Sequence, residues 1–275
     1  MNSGYSILIN SCDAYSDVWE SFFFILNRTW KDSLPKIYLN TEKKNFTKYN
    51  VITLNNKFGN THWGKRLINC LERIDDEYVL MMLEDFLFES NINVERIKTA
   101  LEMMKNDNNL AAIQLIPQGE CCDRKYKDMG FVERVKRGRF TIVAGPTLWR
   151  KTDLISITKP SDNPWEWEYF GSFRTWFWGK RFLCWCNISN PIFVYDVEHG
   201  GAIHRGKWVG YKVQELEKKY GISIISDQRD IVYDWMENDK EKKIVPRIKR
   251  IKSIIHNRTK IILEIGYGLR LRFFN

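Results

Sequence analysis

Three short segments hold side chains on which chemistry can be built. The first is Glu84-Asp85, which follows the apolar run Tyr78-Val-Leu-Met-Met-Leu83 directly and precedes Phe86-Leu87. Adjacent carboxylates at the mouth of a buried strand are costly unless they are paired, hydrogen-bonded or bound to a cation. Hard oxygen ligands of this kind suit a divalent metal on a diphosphate; an acidic turn facing water is the plainer account. The second segment is Asn163-Pro-Trp-Glu-Trp-Glu168, running on to Arg174 and Trp176. Asn163 suits an N-cap, Pro164 the first helical position, and Glu166 the third position of a capping box, which gives Glu166 a structural job. Glu168 has no such job, and on a helix it neighbours Gly171, Ser172 and Thr175, a small and polar face. A carboxylate there can act as general base toward a ligand hydroxyl, with its pKa raised by partial desolvation. The alternative is a solvated acid on an amphipathic helix. The third segment is His199-Gly-Gly-Ala-Ile-His204-Arg-Gly-Lys207-Trp208. Its glycines admit a close backbone approach, and its histidines, Arg205 and Lys207 supply metal ligands or diphosphate donors; a polar loop with incidental bases is the rival. Neither a P-loop nor a G-x-G-x-x-G cradle nor a G-x-S-x-G elbow is present.

The elements that must position these residues alternate along the chain. Tyr5 to Asn10, Lys36 to Asn40, Val51 to Leu54, Tyr78 to Leu83, Ala111 to Ile116 and Ile192 to Val197 read as strands. Ser16 to Trp30, Gly64 to Ile74 and Val94 to Lys105 read as helices. Strand–helix alternation predicts an α/β sandwich with a mostly parallel central sheet, whose ligands bind beyond the carboxyl ends of the strands. With 275 residues, 44% apolar and 28% charged, the chain is neither disordered nor membrane-spanning, since it has no apolar run of about eighteen residues. The N-terminus does not read as a signal peptide, and six dispersed cysteines read as free core thiols of a cytoplasmic protein.

The net charge of +9 is concentrated. From Glu241 to Asn275 ten basic residues face only Glu241 and Glu264, so the preceding chain is close to neutral. Ile244, Ile248, Ile251 and Ile255 fall at helical spacing among the cations, a basic amphipathic helix. It suits an anionic membrane surface, a basic-faced helix packed on the core, or nucleic acid. Ile261, Leu263, Ile265, Tyr267, Leu269 and Leu271 alternate at period two, as a strand or a further interfacial anchor would.

Taken in order, the segments resemble bacterial glycosyltransferases of the GT-A fold, above all those of capsule and O-antigen assembly. The likeness spans residues 5 to 210. It rests on Ser11-Cys-Asp-Ala-Tyr-Ser16, Trp63-Gly-Lys-Arg-Leu67, Leu83-Glu-Asp-Phe86, Gly145-Pro-Thr-Leu-Trp-Arg150, the Pro164 to Arg174 segment and Gly201 to Trp208. The resemblance implies a GT-A-like nucleotide-sugar domain over 1–210 and a basic helical extension over 211–275. It implies a UDP-linked sugar donor held by Ser11, Cys12, Asp13, Thr41, Glu42, Arg66, Glu84, Asp85, His204, Arg205 and Lys207. Asp85 matches the last carboxylate of the family's D-x-D motif, which binds Mn2+ or Mg2+, with Glu84 as a second ligand. The chain departs from that motif, because no Asp stands two positions from Asp85. Glu168 matches the catalytic residue, with Glu166 in reserve, and Trp149, Arg150, Trp165 and Arg174 fall on the acceptor side. An inverting transfer to a glycan or an undecaprenyl-type lipid-linked glycan follows, in an enzyme peripheral to the inner face of the membrane through 244–272, with no nucleic-acid partner. The rivals are a carbohydrate- or RNA-binding module stacking ligands on its eleven tryptophans, and a nuclease using Glu84, Asp85, Glu166 and Glu168 around two metals.

Overall fold

The computed structural model describes residues 3–56, 62–117, 121–126, 130–195, 201–233 and 247–274, with 121–126, 247–256 and 274 described by backbone alone. The elements run β1 (Ser6–Asn10), a 3-10 turn at Asp13–Tyr15, α1 (Trp19–Thr29), β2 (Ile37–Thr41), β3 (Val51–Asn55), α2 (Trp63–Glu72), β4 (Tyr78–Met82), α3 (Val94–Asn106) and β5 (Leu110–Gln114). Then come β6 (Cys121–Tyr126), β7 (Phe131–Arg134), β8 (Thr147–Arg150), α4 (Lys151–Ile157), α5 (Pro164–Arg174) and β9 (Arg181–Trp185). The chain closes with β10 (Ile203–His204), β11 (Lys207–Val209), α6 (Gly210–Tyr220), β12 (Ile231–Val232) and a long helix, α7 (Arg247–Phe274).

Nine strands form the main sheet in the order β3-β2-β1-β4-β8-β5-β9-β7-β6. The pairings make β7 and β8 the two strands that run against the other seven, so the sheet is mostly parallel, as expected. Side chains alternate faces along a strand. On one face Ile7, Ile9, Leu80, Met82 and Ile113 pack against Phe22 and Leu26 of α1, Ile97 and Leu101 of α3 and Val213 and Leu216 of α6. On the other, Leu8, Val79, Met81, Ala112 and Trp149 pack against Leu67 and Leu71 of α2, Leu154 and Ile157 of α4 and Trp167 of α5. Every residue of β1, β4 and β5 is buried, which is why these segments read as unbroken apolar runs rather than as alternation.

The end of the chain departs from the sequence expectation. The 261–271 stretch is neither strand nor loose anchor but the second half of α7. Glu264, Tyr267, Gly268 and Leu271 lie at helical spacing on its inner side, where Glu264 and Gly268 are buried. A Cβ on Gly268 would come within 2.0 Å of the Arg174 carbonyl oxygen, so a glycine is what lets α7 lie against the end of α5. Ile262, Leu263, Leu269 and Phe273 are exposed on the other side, Ile262 at 68% and Phe273 at 73%. Ile244 lies outside the described residues, as do the side chains of Ile248, Ile251 and Ile255. The strand expected at Ile192 to Val197 does not form over 192–195, which is irregular; Asp196 and Val197 lie outside the described residues. Cys184 is disulfide-bonded, contrary to the expectation of free thiols, while Cys12, Cys70 and Cys186 are free. No helix among the described residues is long and apolar enough to cross a membrane.

Candidate active site

The carboxyl ends of β1, β2 and β4 gather most of the expected donor-side residues. Ile9 pairs with Met82, so Ser11 and Cys12 emerge beside Glu84 and Asp85. The Ser11 hydroxyl hydrogen-bonds the Glu84 carboxylate and accepts from Trp19 Nε1 at 2.7 Å. Asp13 accepts backbone N–H groups of Glu42, Lys43 and Lys44 at 3.1–3.2 Å, fixing the loop after β2. Its own N–H donates to Glu42, and Glu42 is ion-paired with Arg66 of α2. Thr41 is buried and closes the same loop by donating to the Lys44 carbonyl at 2.8 Å. Asp13, Thr41, Glu42 and Arg66 thus build the wall of the site, and their charges are already matched within the protein. The Cys12 thiol, pushed up to about 11 by burial and by Glu84 and Glu42, stays neutral.

Glu84 is 4% exposed. Burial raises the pKa of both Glu84 and Asp85, and the charge of Asp85 raises Glu84 further. One oxygen of Asp85, Oδ1, is buried with no hydrogen-bond partner. Two carboxylates held this way are relieved by taking up a proton or a cation. A hard divalent ion fits, because such an ion commonly takes one or two carboxylates and completes its shell with substrate phosphates and water. No group of three metal-ligating side chains exists among the described residues, so those outer ligands would have to come from the ligand.

The His/Gly segment docks on this turn. The Ala202 N–H donates to the Asp85 carbonyl at 3.0 Å. Gly201 has a φ of +97°, and a Cβ there would stand 2.5 Å from the same oxygen. β10 and β11 form a hairpin whose turn places Arg205 and Gly206 at positive φ, the pattern of a tight two-residue connection. Arg205 is exposed, His204 partly exposed, and Lys207 pairs with Asp230 at 3.4 Å. His199 lies outside the described residues.

Glu168 approaches from α5. Asn163 caps that helix by accepting the Glu166 N–H at 2.9 Å. The buried side of α5 (Trp167, Phe170, Gly171, Arg174) turns Glu168 toward the loop before β8, where the Ala144 N–H donates to its Oε1 at 2.7 Å. Burial raises the Glu168 pKa against that hydrogen bond. Burial raises Asp85 and Tyr195; the charge of Glu168 raises both a little further, and that of Asp85 adds to Tyr195, so the Glu168 carboxylate is felt electrostatically at Asp85 and Tyr195. The small polar face expected beside Glu168 is not open: Ser172 accepts the Ile142 N–H at 3.3 Å and donates to the Glu168 carbonyl at 2.6 Å.

Several expected site residues stand elsewhere. Glu166 pairs with Lys260 of α7 at 2.7 Å, so it belongs to the helix interface, and the four carboxylates of a two-metal nuclease are not brought together. Arg174 is fully buried; it grips Asp162 with two hydrogen bonds at 2.6 and 2.7 Å and Glu264 at 2.7 Å. Trp149 is a core residue, 0% exposed. Arg150 pairs in register with Tyr78, the first residue of β4, and holds Glu77, so it lies at the end of the strands away from Asp85. The site end of that strand is Thr147, opposite Met81 and Gln114. Trp165, by contrast, is 77% exposed at the start of α5.

Sequence reasoning missed Arg229, Tyr15 and Tyr195. Arg229 grips Asp17 at 2.8 and 2.9 Å, lies 4.1 Å over the Tyr15 ring, and lowers the pKa of both Glu84 and Asp85. Burial and these two carboxylates push the Tyr15 hydroxyl up to about 12. Tyr195 packs against Phe86 in a tilted pair with ring centres 4.6 Å apart. Tyr15 lies within the Ser11 to Ser16 segment, but Arg229 has no local signal, being a lone cation far along the chain.

No family model and no curated protein matches this sequence. Among solved structures, the chain is similar to S. aureus TarS 1-349 in complex with UDP-GlcNAc, at 12% identity and a TM-score of 0.47, over 98% of this chain and 81% of that one. It is also similar to the mannosyltransferase PcManGT from Pyrobaculum calidifontis in complex with GDP-Man and Mn2+, at 11% identity and a TM-score of 0.48, over 98% and 72%. A third similarity, at 11% identity and a TM-score of 0.37 over 66% and 88%, is to CMP:2-keto-3-deoxy-manno-octonic acid synthetase complexed with CTP. These are likenesses of fold between distant chains, and a fold does not fix a chemistry.

Proposed function

We propose that this chain transfers a sugar from a nucleotide-sugar donor, UDP-linked, to a hydroxyl of a glycan or lipid-linked glycan in surface-polysaccharide assembly. The observation that carries the reading is the buried Glu84-Asp85 pair at the carboxyl end of β4, with Asp85 Oδ1 buried and unpartnered and the charge of Glu168 felt at Asp85. Glu168 is the general base. The Ala144 N–H holds its Oε1, which leaves Oε2 to take the proton from the acceptor hydroxyl. That hydroxyl attacks the anomeric carbon from the face opposite the departing nucleoside diphosphate, so the product is inverted. A divalent metal, Mn2+ or Mg2+, held by Asp85 and Glu84 would supply positive charge to the departing phosphate. Arg229 adds a fixed cation beside those carboxylates, and Arg205, His204 and Lys207 sit on the hairpin docked over them. Trp165 offers an exposed ring on which an acceptor sugar stacks. The outer side of α7, with Ile262, Leu263 and Leu269 between Arg258 and Arg270 and Phe273 beyond them, suits an anionic membrane surface on which a lipid-linked acceptor is met.

The test is nucleoside diphosphate release from a panel of nucleotide sugars with a glycan acceptor, comparing wild type with Glu168→Gln and reading the product anomer by NMR. The proposal expects an inverted product and a loss of turnover of about 10²- to 10⁴-fold in the variant. Unchanged turnover in Glu168→Gln would sink the base assignment.

A further inference from the structure

A cavity of about 630 Å³ opens beside the starting end of β9, at the end of the strands opposite to Asp85. Arg181, at its mouth, pairs in register with Leu110, the first residue of β5, whereas the last residue, Gln114, pairs with Thr147 on the site side. Six cations line the cavity, namely Arg134, Lys136, Arg137, Lys180, Arg181 and Arg272, against the single acid Glu133. Arg181 is paired with Glu133 at 3.0 Å and with Asp107 at 2.8 Å, and Lys180 is drawn to Asp153 at 3.1 Å. Among the described residues no carboxylate pairs with Lys136, Arg137 or Arg272. Like charges gathered round a concavity repel one another unless an anion enters.

The backbone also points to a ligand. Arg137 has a φ of +64°, the left-handed conformation that glycine adopts freely and other residues adopt at a cost. Its guanidinium lies 4.4 Å from the centre of the Phe177 ring. An arginine stands where a glycine would be easier, and the outlier delivers a cation to the cavity. The helix that contributes Arg272 carries Phe273, 73% exposed, one residue further on, with Leu269 and Ile262 also exposed. Cations for a phosphate next to apolar side chains suit an amphiphile rather than a free anion.

We infer that this cavity binds the phosphate headgroup of an anionic lipid, through Lys136, Arg137 and Arg272, while Phe273 enters the acyl region. The inference deepens the membrane part of the proposed function and is independent of the donor chemistry. The test uses the full chain in sedimentation with vesicles of phosphatidylcholine alone or mixed with phosphatidylglycerol, with Lys136→Ala/Arg137→Gly as the variant. Glycine accepts the +64° φ, so the backbone is relieved rather than strained. A charge-matched control, Arg28→Ala/Lys31→Ala, removes two exposed cations elsewhere. At about fivefold per cation, the cavity variant should lose about 25-fold in affinity for the mixed vesicles, while the control binds as wild type and neutral vesicles bind none of the three. Equal losses in both variants, or none in either, would overturn the site. A rise in Tm with inorganic pyrophosphate, absent in the cavity variant and accompanied by no vesicle binding, would overturn the lipid and leave a soluble anion. Both variants should keep the wild-type Tm shift with a nucleoside diphosphate, which separates this outcome from a failure of the donor site.

Discussion

Arg174→Ala tests whether α7 is clamped to the body of the protein. The guanidinium is 0% exposed and gives four hydrogen bonds, two to Asp162, one to Glu264 and one to the Ile157 carbonyl, all at 2.6–2.7 Å. Truncation leaves two carboxylates, each 4% exposed, without their shared cation. Removing one partner from a buried ion network costs about 3–5 kcal/mol. The lower end applies, because Glu264 keeps Lys159 at 2.6 Å and Asp162 keeps the Lys159 N–H at 2.8 Å. For a chain of this size about 3 kcal/mol lowers Tm by about 6–12 °C. The pH dependence adds a sign. Burial raises the Glu264 pKa, but its hydrogen bond and ion pair with Arg174 and Lys159 outweigh this and hold it below the usual carboxylate range. A carboxyl depressed in the folded state contributes stability above its unfolded pKa and loses it as pH falls through the folded value. Thermal melts by circular dichroism should therefore show a smaller loss of Tm on acidification in Arg174→Ala than in wild type. Acceptor KM, which an acceptor-binding arginine would raise, should not change in the fraction that stays folded. A variant melting within about 1 °C of wild type would refute the clamp.

Other outcomes follow from the same geometry. The acid limb of kcat/KM should lie above the ordinary glutamate range, because burial raises Glu168 and the base must be ionised to act; a pH–rate profile with that limb missing in Glu168→Gln checks it. Gly201→Val should abolish ordered docking of the β10–β11 hairpin, since φ is +97° and the Asp85 carbonyl is 2.5 Å from the new Cβ; near-ultraviolet circular dichroism and nucleotide binding should both be lost. Trp165→Ala should leave Tm within about 0.5 kcal/mol equivalent of wild type, as for an exposed surface change, while raising acceptor KM. Arg229→Gln should weaken nucleoside diphosphate affinity and lower Tm, because Asp17 loses the cation that grips it; isothermal titration reads the first and a melt the second.

Much of the fold was legible because burial writes itself into sequence. Tyr78–Met82 and Ser6–Asn10 read as strands since both of their faces are covered, and Glu84-Asp85 stood out as charge where the apolar run stops. The antiparallel strands were harder. β8 is four residues long and lies inside Gly145-Pro-Thr-Leu-Trp-Arg150, so a motif that reads as one functional unit in fact crosses the sheet. Its first residues border the site, and Trp149 and Arg150 do not. The 261–271 stretch misled because apolar residues on both sides of a helix, one packed and one exposed, mimic period-two alternation. Arg174 and Glu166 looked like ligand-binding groups because sequence shows a charge but not its partner. Their partners Glu264 and Lys260 lie 90 and 94 residues away. The same distance hid Arg229, which reaches Asp17 across 212 residues.

The central claim is that Glu84 and Asp85 receive a nucleoside diphosphate. It is tested most directly by the melting temperature of wild type and Asp85→Asn against a panel of nucleoside diphosphates and nucleotide sugars, with and without manganese. Binding to the folded state stabilises it by about 2.7 kcal/mol at a hundredfold excess over Kd, which is about 5–10 °C here. The account predicts a shift of that size for one nucleoside in wild type, larger with manganese, and a loss of the manganese increment in Asp85→Asn. No shift with any nucleotide at saturating concentration would contradict it.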